Sequence, residues 1–469
     1  MKILQKSNLL AKSKYSLFNN NSFLFTNKKE IPTVPKSDEK FGNLLDVGKA
    51  GGHYYFLAQK HKELGPVLYY WIYDKKCVSL GHPKYWQAMS HLSTKTNYIR
   101  LFMKGLFGSF KALALANSED RDRRYAQFIT PFINQQTVEA KHYLIMDKYL
   151  DYIVKDFGKY VNEGKSIPII ERISVLMVRS MVELLWGRKN LPEEDCIKIY
   201  QYLSYSIINV ELESFQVIED PNKQAEIKHK IDWIHNFIRD GVKERLSSNK
   251  TDLVCFTDYL REEKDFEIIS ADVTAFFFAS IHNPISLMFA TIYHIANNAD
   301  KQAILQEEIE KNLKGKEVNN ATIKSLRYMR LCINEAMRAT PPVATSSRVD
   351  FENDIELPDG YVIPKNTTIV TPLGLVSQSS EVYEDVDKFI PERFKNGFKW
   401  PNQLAPFGFA GGRVCAGKNI AMHFSQLVLA SLFKNYVFSP SKKQGALNLY
   451  FGTGTVSLDE VYVDGKLKH

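Results

Sequence analysis

From Val273 to Ala299 the chain carries no formal charge, and Asp272 and Asp300 flank the run. A stretch that long and apolar has the length of a bilayer-spanning helix. His282-Asn283-Pro284 lies in its middle, where a bilayer penalises polar groups, so we read it as the buried helix at the centre of a large core. Pro284 removes one backbone hydrogen bond and predicts a kink there. Upstream, Asp147 to Leu246 is mostly amphipathic helix, broken at Gly164-Lys165-Ser166 and at Leu191-Pro192-Glu193. Nearer the start, His53 to Leu64 reads as a helix closed by Gly65-Pro66. Val67 to Trp71 and Lys76 to Leu80 then read as a two-stranded ribbon ending at Gly81. Helical spacing returns from Ile420 to Leu429.

Composition narrows the class. Hydrophobic residues make up 44 % and aromatic residues 12 % of 469 positions, enough to bury a large core and to exclude a disordered chain. Cys77, Cys196, Cys255, Cys332 and Cys415 are scattered singly, which argues against a disulfide framework or a zinc site and for a reducing compartment. The net charge of +8 is concentrated in the first 29 residues, which hold six lysines and no acid. No basic patch with interleaved aromatics points to nucleic acid. Residues 1–30 therefore read as a targeting segment, mitochondrial by composition, or as a disordered lysine-rich tail. The endoplasmic reticulum surface and the cytosol are the alternative locations, with peripheral membrane contact and no transmembrane anchor.

The candidate chemistry lies at residues 407–417, Phe-Gly-Phe-Ala-Gly-Gly-Arg-Val-Cys-Ala-Gly. Glycines let a backbone turn sharply and approach a flat ligand, and a helix N-terminus stabilises a thiolate. Cys415 is placed to be that thiolate, and Arg413 to pair with an acidic group on the same ligand. Two further motifs precede the loop in order: Glu335-Ala-Met-Arg338, and Phe389-Ile-Pro-Glu-Arg393-Phe394. Together they resemble the E-x-x-R motif, the F-x-P-E-R-F motif and the cysteine-ligand loop of the cytochrome P450 superfamily.

That resemblance implies a mainly α fold with a small β region, one domain over 31–469, and haem b ligated by Cys415. Arg413 and Arg348 would hold its propionates, with Phe407, Phe409, Gly411 and Gly417 shaping the loop around the sulfur. Glu335, Arg338 and Arg393 would form the family's structural ion cluster. The family's tryptophan and arginine, four apart and also at a propionate, fall by alignment on Asp122 and Ala126, so Arg123 or Arg124 would substitute. On the long helix the usual acid and alcohol, which deliver protons during oxygen activation, become His282 and Asn283. Phe215, Trp233 and Phe237 line a substrate cavity or belong to the core.

The implied activity is insertion of one oxygen atom from O2 into a lipophilic molecule (sterol, fatty acid or xenobiotic) by a monomeric enzyme. Electrons would come from NAD(P)H through a ferredoxin or a diflavin reductase. Two alternatives stay open: a hydroperoxide isomerase, lyase or peroxygenase needing no electron donor, and a non-catalytic haem-binding protein.

Overall fold

The computed structural model describes residues 29–92, 97–214, 218–248, 255–400, 402–409, 414–452 and 454–468. The targeting segment, Phe215, and Gly411 and Arg413 of the cysteine loop lie outside the described residues.

The uncharged run forms a 31-residue helix, Phe266–Ala296, begun by an Asp265 side chain that accepts from the Glu267 N–H. Most of its residues are buried, from Ile269 to Ala296. It is the one described helix long and apolar enough to cross a membrane, and 78 % of its most apolar window is buried inside the protein. The helix continues through Pro284, so the expected kink does not divide it. Around it pack Ile169–Trp186, Pro221–Ser247, Arg327–Ala339 and Lys418–Asn435, and their apolar faces join in one large core. Amphipathic spacing is the cause: these helices have no other way to hide an apolar stripe.

The β region is small, as expected. His53–Leu64 is a helix, and Val67–Ile72 pairs antiparallel with Lys75–Leu80. Thr368–Thr371 joins that ribbon in parallel and Ser346–Arg348 completes a four-stranded sheet. This sheet has its own core around Trp86. A short antiparallel pair, Leu449–Phe451 with Thr455–Ser457, reaches the long helix, where Ser286 Oγ donates to the Thr455 carbonyl at 2.7 Å.

Among the described residues, His142 and His282 are buried between helices, His142 with no hydrogen bond at either ring nitrogen and His282 with only the Asn283 side chain as a hydrogen-bonding neighbour. Burial lowers each to a pKa of about 4. The folded protein keeps them neutral while the unfolded chain takes up protons below its ordinary value of 6.5. Their contribution to stability is therefore flat above neutrality and falls as pH drops from 6.5 towards 4, by up to about 1.4 kcal/mol per pH unit for each histidine, while Glu460 and Asp272, raised by burial to about 7 and about 6, act in the opposite direction. Unfolding midpoints measured across this range will decline on the acid side; a constant midpoint would contradict the burial of these rings.

Candidate functional site

The described part of the cysteine loop turns at Gly408. Gly408 has φ 77°, a left-handed conformation that side chains disfavour, and the rings before and after it go to different places. Phe409 stacks on Trp86, with centroids 5.1 Å apart and planes 5° from parallel. Phe407 packs against the helical core and its carbonyl accepts the Cys415 N–H at 2.9 Å. Phe407 is thus the aromatic tied to the cysteine, and Phe409 anchors the loop to the sheet. Gly417 precedes the helix Lys418–Asn435; a Cβ there would stand 3.9 Å from Cys415 Sγ.

Cys415 is accessible, unlike the other four cysteines. The recess around its sulfur raises the thiol pKa, while backbone N–H groups of Gly417 and Lys418 and the Lys418 charge favour the anion. A cationic ligand at the sulfur would tip that balance to thiolate.

Arg348, at the end of its strand, is 8 % exposed. One Nη donates to Ser346 Oγ and the Ser347 carbonyl, and its buried Nε has no partner among the described residues. Burial without a counter-charge draws its pKa down to about 10. Such a guanidinium calls for an anion.

The arginines expected to substitute in the helix Ser118–Arg124 are directed elsewhere. Arg123 is exposed and bonds Asp120, Gln127 and Glu263. Arg124 is buried and bridges to Asp272 at 2.9 Å, to Asp120, and to the Lys111 carbonyl. Both guanidiniums bond carboxylates, Arg123 at the surface and Arg124 inside the protein, where its Nε alone has no partner among the described residues. Their neighbour Arg121 was not anticipated as a site residue. It is buried, with Nε and Nη2 on Asp122 Oδ1 and a buried Nη1 that has no partner among the described residues. Its only sequence signal was position beside Asp122.

On the long helix, Ala279 is exposed and Phe276 and Asn283 are half-buried. They lie three and four positions apart, so they share one face, and this is where the core helix opens. His282 is turned into the protein. Its ring stacks on Tyr200, 6.2 Å away and 11° from parallel, and a Cβ on Gly454 would stand 3.5 Å from its Nδ1. Nothing in the sequence around Tyr200 or Gly454 indicates that contact. Trp233 and Phe237 stack on each other against the core.

Behind the loop, Glu335 receives Arg338 Nε at 2.9 Å and Nη2 at 3.0 Å, Arg393 Nε at 3.1 Å, and the Ile390 N–H at 2.8 Å. The three motif residues meet in one buried cluster, close to the entry of the chain into the loop region.

These residues fit haem. A thiol at a helix start, an open strip on the core helix and two arginines with buried, unpartnered nitrogens match an iron macrocycle bearing carboxylates. Comparison with known proteins agrees. The family model described as Cytochrome P450 matches residues 32–461. Cytochrome P450 3A17 of Cavia porcellus is 25 % identical over 452 residues, covering 89 % of this chain and 87 % of that protein. Cytochrome P450 20A1 of Bos taurus is 22 % identical over 410 residues, covering 86 % of each. Cytochrome P450 3A16 of Mus musculus is 25 % identical over 379 residues, 75 % of this chain and 74 % of that protein.

Proposed function

Because the chain belongs to the cytochrome P450 family, we propose that it inserts one oxygen atom into a lipophilic substrate, a sterol, fatty acid or xenobiotic, through one haem domain over 31–469. At family level it is a haem-binding oxidoreductase that incorporates oxygen, with a substrate and an electron-transfer partner. When bound, haem supplies the redox chemistry that splits dioxygen with two added electrons and two protons, one oxygen atom entering the substrate and the other leaving as water.

The carrying observation is Cys415, accessible at the start of Lys418–Asn435 with backbone N–H groups favouring its anion. Thiolate ligation favours O–O cleavage. Arg348 would bind a propionate, as would Arg413. Ala279 leaves room on the open face, and the Asn283 amide orients what binds beside it by hydrogen bonding. His282 is neutral at physiological pH and packed against Tyr200, so it supports the shape of the helix rather than a proton path.

The amide at Asn283, with no acid next to it on the open face, favours one second reading: a hydroperoxide-using isomerase, lyase or peroxygenase. Under the first reading a ferredoxin supplies electrons if residues 1–30 direct the chain to mitochondria, and a diflavin reductase if it sits on the endoplasmic reticulum.

One pair of incubations separates the readings. With NAD(P)H, a reductase system and oxygen, fatty-acid or sterol substrates will give products one oxygen atom heavier, and His282→Ala will keep at least about half the rate, since a positioned general acid contributes roughly a hundredfold or more. Rapid anaerobic conversion of a fatty-acid hydroperoxide without reductant, and no oxygen-dependent product, would replace the monooxygenase reading with the second one.

A further inference from the structure

The core helix Phe266–Ala296 carries two acids, and they are treated differently. Glu267 is exposed and pairs with Arg239 at the surface. Asp272 is 0 % exposed. Both of its oxygens accept from Arg124 Nη1 at 2.9 Å, and Oδ1 also accepts the Leu113 N–H at 2.6 Å. The same Arg124 Nη1 donates to the Lys111 carbonyl at 2.9 Å, and Arg124 Nη2 pairs with Asp120 at 2.8 Å. One carboxylate therefore ties the core helix to the connector 108–117 at two points, directly at Leu113 and through Arg124 at Lys111. It also holds the end of Ser118–Arg124. A third tie lies at the helix start, where Lys111 Nζ meets the N-cap Asp265 at 2.6 Å.

The position of this clamp along the helix matters. Asp272, Phe276, Ala279 and Asn283 are spaced by four, three and four residues, so they run along one stripe. Asp272 stands about 10 Å along the axis from Ala279, where that stripe is open. The connector packs on the core helix with Ala112, Leu113 and Leu115 buried around a short 3-10 turn. It forms an apolar wall at one end of the open strip. A buried ion pair is a poor source of stability, because apolar side chains of the same volume often do as well. What it supplies here is a fixed distance between wall and helix.

We propose that Asp272 is a positioning residue for oxygen insertion: by fixing the connector against the core helix, it sets how far the apolar body of a substrate extends along the strip from the haem. The inference rests on the haem reading above.

The test uses the haem-loaded protein and two iron ligands read by their absorption shift, imidazole and 1-octylimidazole. Only the second has an apolar tail that reaches along the strip, and the parent will bind it more tightly. Asp272→Asn keeps the shape of the side chain and leaves Asp120 as counter-ion to Arg124, so the fold is retained. This variant will lose roughly tenfold in affinity for 1-octylimidazole and stay within about twofold of the parent for imidazole. Arg124→Gln will show the same split. The double variant will lose less than the two single losses multiplied together, because each single change breaks the same interaction. Arg124→Lys keeps the charge but cannot bridge Asp272, Lys111 and Asp120 at once. It will give an intermediate loss, and it carries the test if a neutral variant fails to fold.

Unchanged 1-octylimidazole binding in the variants, equal losses for the two ligands, fully independent losses in the double variant, or a parent with no preference for the octyl ligand would each overturn the assignment. Failure of the haem reading itself looks different: imidazole would then give no absorption shift in the parent, and the spectrum of the carbon monoxide complex would be indifferent to Cys415→Ala.

Discussion

Cys415→Ala is expected to abolish oxygen insertion altogether, and no other cysteine will rescue it. Cys77, Cys196, Cys255 and Cys332 are buried. Burial holds the first three at pKa values of about 12 and the fourth well above its ordinary value. Only Cys415 combines access with backbone N–H groups directed at its sulfur. Replacing it removes the negative ligand that favours O–O cleavage. Product formation will fall below detection, and the absorption band of the reduced carbon monoxide complex will move to that of an uncharged ligand. Cys415→Ser, with a weaker and harder donor, will retain some haem and still form no product. Turnover by either variant at near the parent rate would remove Cys415 from the mechanism.

Glu335→Gln will produce the largest loss of stability. One fully buried carboxylate accepts from two guanidiniums and from the Ile390 N–H. Arg338, 1 % exposed, also donates to the Ser377 and Lys388 carbonyls. An amide at position 335 leaves that arginine charged, buried and without a counter-ion. Removing one member of a buried ion cluster costs about 3–5 kcal/mol, a large share of the roughly 5–15 kcal/mol that holds a typical domain together. Denaturant unfolding of the variant will show a midpoint lowered accordingly. Arg393→Lys will cost less, because that side chain is 12 % exposed and part of its bonding reaches the Glu384 and Asp385 carbonyls near the surface. A Glu335→Gln midpoint within about 1 kcal/mol of the parent would mean that the cluster is not paired as described.

The parts of the molecule written in local patterns were readable before any coordinates. Glu335 and Arg338 are one turn apart, so their meeting on one face follows from helix geometry. The ribbon Val67–Ile72 with Lys75–Leu80 and the helix His53–Leu64 are bounded by Gly-Pro and glycine signals that act over a few residues. The central helix could be read as a core element because polar residues interrupt an otherwise uncharged run.

What could not be read depends on winding and on distant partners. The π turn at Tyr125–Ile129 leaves no sequence mark, and Arg121 and Asp122 just before it both line the cleft beside the loop. Arg124 is held by Asp272, a carboxylate 148 residues further along the chain. The inward turn of His282 is set by Tyr200 and Gly454, residues whose proximity only the packed fold defines. The positive φ of Gly408, which explains why a glycine stands between two phenylalanines, is likewise a property of the folded loop.

The central helix also bears on how the protein is made. Its Ser286 hydroxyl bonds a carbonyl 169 residues further along the chain, and the closing helix Lys418–Asn435 packs on it as well. On the ribosome the uncharged run therefore emerges long before the segments that cover it, at a stage when its apolar surface has only solvent, chaperones or a translocation channel to meet. His282-Asn283-Pro284 lowers the affinity of the nascent run for a lipid bilayer during that interval. The polar triplet thus counts against insertion at the stage when the run is barest.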